Sequence, residues 1–165
     1  MGKPKIMLMQ DEINSHTTQL ADNATLVINA LYPPSPLVGI IGDNEADDAI
    51  AFQNLVTFCQ ANQIKLVCSA KRIKIGQTVI FGRGSMFEGA FSVPWGDALG
   101  TVFTSTITDG SATFLVNDRS VRLKNFTISG SLLCDGIKTT NLAYDFDFDN
   151  IKVKGCAIYG NCGCS

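Results

Sequence analysis

The sequence predicts a mainly-β chain: a solenoid of short strands stacked coil on coil, preceded by an N-terminal coiled-coil helix. Three observations predict it. An apolar heptad runs through the first thirty-one residues, and three prolines in four residues interrupt it. From Ile64 onward short apolar strands recur, with an Asn-apolar-polar-apolar-polar-Gly signature repeated at 25-residue spacing.

The heptad comes first. Ile6, Met9, Ile13, His16, Leu20, Asn23, Val27 and Ala30 are spaced alternately by three and four residues. That spacing puts Ile6, Ile13, Leu20 and Val27 at position a of a helical seam and the others at d. His16 and Asn23 are polar residues at d, which weaken a seam but fix its register and oligomer number. A lone amphipathic helix packed on its own domain accounts less well for these two. Residues 1–31 are therefore read as a self-associating coiled coil.

Tyr32-Pro33-Pro34-Ser35-Pro36 cannot continue a helix and favours an extended, semi-rigid spacer, so residues 32–36 are read as a linker. The second region, 37–165, begins with an apolar strand at Leu37–Ile41 and a turn at Gly42–Glu45. Asp47 or Asp48 is placed to cap a helix over Ala49–Ala61, whose apolar face is Ile50, Phe52, Leu55, Val56 and Cys59.

Beyond it, strands are expected at Ile64–Cys68, Arg72–Ile75, Thr78–Phe81, Phe87–Phe91, Leu99–Ile107, Thr113–Val116, Val121–Leu123, Phe126–Ile128, Ile137–Thr139, Tyr144–Phe148, Ile151–Val153 and Ala157–Tyr159. Asn125–Gly130 recurs as Asn150–Gly155, with a weaker copy at Thr106–Gly110; Cys134 and Cys156 lie 22 residues apart. Periods in the twenties suit solenoid coils, each of which buries its apolar face only against its neighbours. At roughly 22–25 residues per coil, four or five coils are expected.

Composition narrows the function. The net charge is -2, so no basic field invites nucleic acid. No run of about 18 apolar residues is present to insert into a membrane. The six cysteines, in a chain without a secretory signal, are expected to be reduced and mostly buried.

Several clusters invite chemical readings. Asp145-Phe146-Asp147-Phe148-Asp149-Asn150 resembles the start of a calcium loop, but Asn150 replaces the glycine and Cys156 stands where the bidentate Glu belongs. A strand with Phe146 and Phe148 inward and three aspartates outward is expected instead. Gly82-Arg83-Gly84 with Gly89 fits no phosphate-loop spacing and reads as tight corners. Cys134, Cys156, Cys162 and Cys164 could be considered a tetrahedral zinc set, but Cys162-Gly163-Cys164 is too tight for a standard knuckle, and a stack of buried thiols on successive coils is expected instead. His16 is the one histidine, which leaves no Ser-His-Asp or Cys-His set to assemble. No metal and no cofactor is expected, and no catalytic residue is marked out.

The segment Gly42-Asp43-Asn44-Glu45-Ala46-Asp47-Asp48-Ala49-Ile50-Ala51-Phe52-Gln53 resembles the motif Gly-Asp-Gly-x-x-Asp-Asp-x-x-Ala-x-Gln, which stands before the first helix in the pectate-lyase-like superfamily. Gly42, Asp43, Asp47, Asp48, Ala51 and Gln53 match; Asn44 replaces the second glycine. In tailspikes and tail fibres of bacteriophages within that superfamily, the motif often follows a coiled coil or a virion-binding domain. The resemblance implies a right-handed parallel β-helix, a homotrimer, and a place in the virion tail after assembly in the bacterial cytoplasm. Other tail or baseplate proteins and host surface polysaccharide are the implied partners. The function expected is anchoring or adsorption; the alternative is a polysaccharide-degrading glycoside hydrolase or lyase. No cleaving activity is expected of this 165-residue segment. Glu12, Glu45 and Glu88 are too dispersed to converge, and the middle coils that carry such chemistry are expected in a longer chain continuing past Ser165.

Overall fold

The computed structural model describes residues 26–91 and 100–156. Within them lie the strands β1 (Val27–Asn29), β2 (Asp43–Asp47), β3 (Lys65–Val67), β4 (Lys71–Ile75), β5 (Val79–Phe81) and β6 (Met86–Glu88), with the helix α1 (Ala49–Ala61) between β2 and β3. The strands β7 (Thr101–Ser105), β8 (Ala112–Val116), β9 (Arg122–Ser129), β10 (Asp135–Thr139) and β11 (Asp147–Lys154) follow.

Every pairing among these strands is parallel. Parallel neighbours need a long crossover between them, and here the crossover is the rest of a coil. The first face stacks β1, β3, β6 and the leading halves of β9 and β11. The second face stacks β2, β4, β7 and the trailing halves of β9 and β11. The third stacks β5, β8 and β10. The first two faces join into one strongly curled sheet because β9 and β11 run unbroken around the corner between them.

That corner explains the asparagine repeat. Asn125 and Asn150 sit at φ 61° and 50°, the left-handed region that Asn tolerates better than most side chains. Their amides stack: Asn150 Nδ2 donates to Asn125 Oδ1 at 2.9 Å, and Asn125 Nδ2 donates to Glu88 Oε1 at 2.9 Å. Phe126 is in register with Ile151 and Ile128 with Val153, so the 25-residue signature is one full coil. The weaker copy at Thr106–Gly110 is not in this register. Thr127 pairs with Val102, and the likeness of Thr106–Gly110 is turn chemistry, with Asp109 Oδ1 accepting the Ser111 N–H at 2.9 Å.

The coils are unequal. First-face register advances 21 residues from Leu66 to Phe87, 36 from Phe87 to Leu123, and 25 from Leu123 to Phe148. A uniform 22–25 was expected; the middle coil carries extra chain between β6 and β7. Inside, Phe52, Phe81, Phe87, Phe103, Phe114 and Phe126 are at most 2% exposed. They form a continuous stack of rings with neighbouring centroids 4.8–6.4 Å apart. Rings so placed couple each coil to the next.

The helix falls where the motif and the 3.6-residue period put it. Ala49, Phe52, Leu55, Val56 and Cys59 are buried, whereas Ile50 faces outward. The helix lies beside β5, and Gln53 meets the backbone of that strand: Ile80 N donates to Gln53 Oε1 at 2.6 Å, and Gln53 Nε2 donates to Ile80 O at 3.1 Å. A side-chain amide thus occupies the edge of the third face, where an open strand would invite pairing.

The N-terminal expectations need correcting where they can be compared. Ile6, Met9, Ile13, His16, Leu20 and Asn23 lie outside the described residues, but Val27 does not. It stands in β1, exposed, in register with Lys65. A helix over 1–31 therefore does not reach its last turn. Ile28 and Ala30 are buried in the core; β1, which carries Ile28, pairs with β3, and Ala30 N just beyond it donates to Val67 O at 2.8 Å.

Residues 32–36 are not an extended spacer either. The chain turns there, with Leu37 N donating to Pro34 O at 3.0 Å and Ile40 N to Ala30 O at 2.9 Å, so both sides of the prolines belong to one core. Leu37–Ile41 forms no strand; the strand is Asp43–Asp47, where a turn was expected.

Candidate ligand groove

The motif residues act on the backbone. Asp43 Oδ1 accepts the N–H groups of Glu45 (2.8 Å) and Ala46 (3.0 Å), which hold its carboxyl below the usual range. Asp47 Oδ1 accepts the Ala49 N–H at the helix start and the Gly76 N–H of the next coil, each at 3.0 Å. Asp48, 3% exposed, makes no side-chain cap; its oxygens accept the N–H groups of Ile41 (2.8 Å) and Gly42 (2.9 Å). Gly42 and Asn44 have φ 67° and 66°, so the asparagine standing in for glycine meets a backbone it can adopt.

The outer surface of the first face offers a different kind of place. Strand alternation sorts its positions into in-register rows. Leu66, Phe87, Leu123 and Phe148 point inward; Lys65, Met86, Arg122 and Asp147 form one outward row, and Val67, Glu88, Lys124 and Asp149 the next. Between these rows lies a depression of about 280 Å³ lined by Lys65, Met86, Phe87, Glu88, Arg122, Lys124 and Asp147. A second, of about 380 Å³, adjoins it through Met86, Arg122 and Asp147 and reaches Gly84, Ser120, Asp145 and Phe146. Together they make a groove crossing the coils.

Its charges are largely matched. Lys65 pairs with Glu88, and Lys124 pairs with Asp147 at 2.9 Å and Asp149 at 3.8 Å. The backbone N–H of exposed Arg122 donates to Ser85 O at 2.9 Å, but its guanidinium makes no ion pair or hydrogen bond with any described residue. At the groove's end Arg119 Nη1 donates to the Tyr144 hydroxyl at 2.5 Å, and its guanidinium lies 5.7 Å from that ring's centroid. Ser120 Oγ donates to Asp145 Oδ2 at 3.0 Å.

The 145–150 segment is mostly the strand expected. Phe146 and Phe148 pack partly buried against the core with centroids 4.8 Å apart, and its aspartates face outward. No set of three metal-ligating side chains occurs among the described residues, and no described helix is long and apolar enough to cross a membrane.

Glu88 and Asp147 share the first depression, and Asp145 and Asp147 share the second. Hydrogen bonding from Lys65 outweighs burial, and with Asn125 and Lys124 it holds Glu88 below the usual range. A general acid needs the opposite shift. Because the folded carboxyl titrates below its unfolded value, its stabilisation is complete above about pH 4.3 and is lost as pH falls through the folded value. Glu88→Gln should lower stability by up to about 1 kcal/mol at neutral pH. Thermal melts against pH should show the gap to wild type closing below about pH 4. A gap unchanged at about pH 3 would mean that the charge is not what the variant loses.

Stacked parallel strands in a strongly curled sheet, with a third parallel face and one helix, define the structural class. Two solved structures are similar to it in fold. The Dettilon tailspike protein matches with a TM-score of 0.65 at 18% identity over 78% of this chain and 23% of its own. Geobacillus virus E2 ORF18 matches with a TM-score of 0.54 at 19% identity over 90% of this chain and 29% of its own. The chain thus spans about a quarter of the length of these neighbours. No protein-family profile and no curated protein sequence matches.

Proposed function

We propose that this chain is the proximal part of a bacteriophage tail appendage of the pectate-lyase-like superfamily, a right-handed β-helix working as a homotrimer. The observation that carries this reading is the coil geometry shared with a tailspike over 78% of the chain. In it, residues 1–23 supply the self-associating seam, neighbouring tail or baseplate proteins hold the appendage in the virion, and the first-face groove meets host surface polysaccharide. Matched charges, an uncommitted guanidinium and an exposed tyrosine suit hydroxyl-rich chains, which are bound by many moderate polar contacts and by stacking. Anchoring is preferred to cleavage because the groove's glutamate is shifted away from acid duty.

Sedimentation equilibrium of the full chain should give a trimer, and purified host polysaccharide should bind without release of reducing ends. A monomer at micromolar concentration overturns the trimeric reading. Turnover that disappears in Glu88→Gln overturns the non-enzymatic one.

A further inference from the structure

We propose that Cys134 and Cys156 form an oxidisable dithiol, which closes into a disulfide between successive coils when the protein meets a small-molecule disulfide such as oxidised glutathione. The two sulfurs lie 4.0 Å apart. Cys134 is fully buried just before β10, and Cys156 is half-buried just after β11. The backbone around them is already joined: Gly130 N donates to Lys154 O at 2.8 Å, and Leu132 N to Gly155 O at 2.5 Å. Gly130 packs so closely on the next coil that a Cβ there would strike Cys156 Sγ. The sulfurs must still approach to about 2.05 Å for the bond to form.

The two thiols differ in a way that orders the reaction. Burial works to raise Cys134, yet hydrogen bonding from Ser105, Ser131 and Thr113 outweighs it and holds the thiol below its usual value. The Thr113 hydroxyl lies 3.8 Å from the sulfur. Cys156 is pushed up to about 12 by burial and by the neighbouring Cys134 charge. The accessible sulfur is therefore the slower nucleophile and the hidden one the readier.

In the first step the Cys156 thiolate attacks one sulfur of oxidised glutathione. The S–S bond breaks, and the departing glutathione thiolate takes up the proton Cys156 gave up. In the second, the Cys134 thiolate attacks Cys156 Sγ and expels the other glutathione, which is protonated in turn. Two protein thiols are oxidised and one disulfide is reduced to two thiols. The ring so closed contains Tyr144, Asp145 and Asp147, so oxidation ties down one wall of the groove. Cys59 and Cys68, deeply buried and pushed up to about 11 and about 12 chiefly by burial, do not compete.

The test is to treat the folded full chain with oxidised glutathione, block free thiols, digest without reduction and map the peptides by mass spectrometry. A linked peptide pair joining Cys134 to Cys156 is expected, forming faster as pH rises. Cys134→Ser should instead accumulate a glutathione adduct at Cys156, which the wild type does not retain. A wild type that keeps the adduct, or that links Cys156 to Cys162 or Cys164 while Cys134 stays free to alkylation after unfolding, overturns the proposal.

Discussion

Phe52→Ala is expected to destabilise the chain by about 3–5 kcal/mol, the range for emptying a fully buried aromatic site. Phe52 has no exposed surface and meets four rings: Phe81, Phe87, Phe103 and Phe114, at centroid distances of 5.1–6.4 Å. It comes from the helix, while its neighbours come from two successive coils, so the cavity would open where three layers meet. Little can collapse into it, because Phe87, Phe103 and Phe114 are held by Phe126 beyond them and Phe81 is held by Phe114. A solenoid is coupled only through such nearest-neighbour contacts. The urea transition should therefore broaden as well as shift, measured at one fixed protein concentration because self-association is itself stabilising. Phe148→Ala, at a half-buried ring stacked on Phe146, is the comparison and should cost less than half as much. Equal losses for the two would mean that the ring stack does not tie the layers together.

What the sequence disclosed depended on how far apart the interacting residues lie. The helix over Ala49–Ala61 was legible because its motif and its 3.6-residue period are local. The coil was legible from Asn125 and Asn150 because a left-handed corner recurs in each, and few residues tolerate one. Val27 and Ala30 misled for the same reason in reverse: a short strand can satisfy a heptad spacing over two positions, and only its pairing with Lys65–Val67 distinguishes the two. The 36-residue coil hid the register between β6 and β9, since no constant period spans it. The groove was invisible. Lys65, Glu88, Lys124 and Asp147 come from four coils, and nothing local marks them as one surface. Of the four cysteines expected to stack, Cys134 and Cys156 do meet, Cys162 and Cys164 lie outside the described residues, and the hydroxyls around Cys134 were not legible.

Asp48→Ala is the other large effect, and its size distinguishes two jobs for one carboxylate. As an ordinary helix cap, Asp48 would be worth about 0.5–2 kcal/mol, and serine in its place would restore most of that. The structure gives it different work. Its two oxygens accept the N–H groups of Ile41 and Gly42, at 2.8 and 2.9 Å, in a position 3% exposed. Its own N–H donates to Lys74 O at 3.0 Å, so the residue joins the chain before β2 to β4 of the next coil. Removing the carboxylate leaves two donors without their acceptor, the Gly42 N–H buried and the Ile41 N–H partly so, at roughly 1–3 kcal/mol for each buried one, and the expected loss is about 3 kcal/mol. Asp48→Ser should recover little of it, because one short hydroxyl cannot serve two N–H groups that a two-oxygen fork now holds. Asp47 supplies the contact at the helix start through Ala49 N, so helix content by circular dichroism should hold up below the transition even as the midpoint falls. If serine restores wild-type stability, Asp48 is a cap after all, and the tie to residues 41–42 contributes nothing.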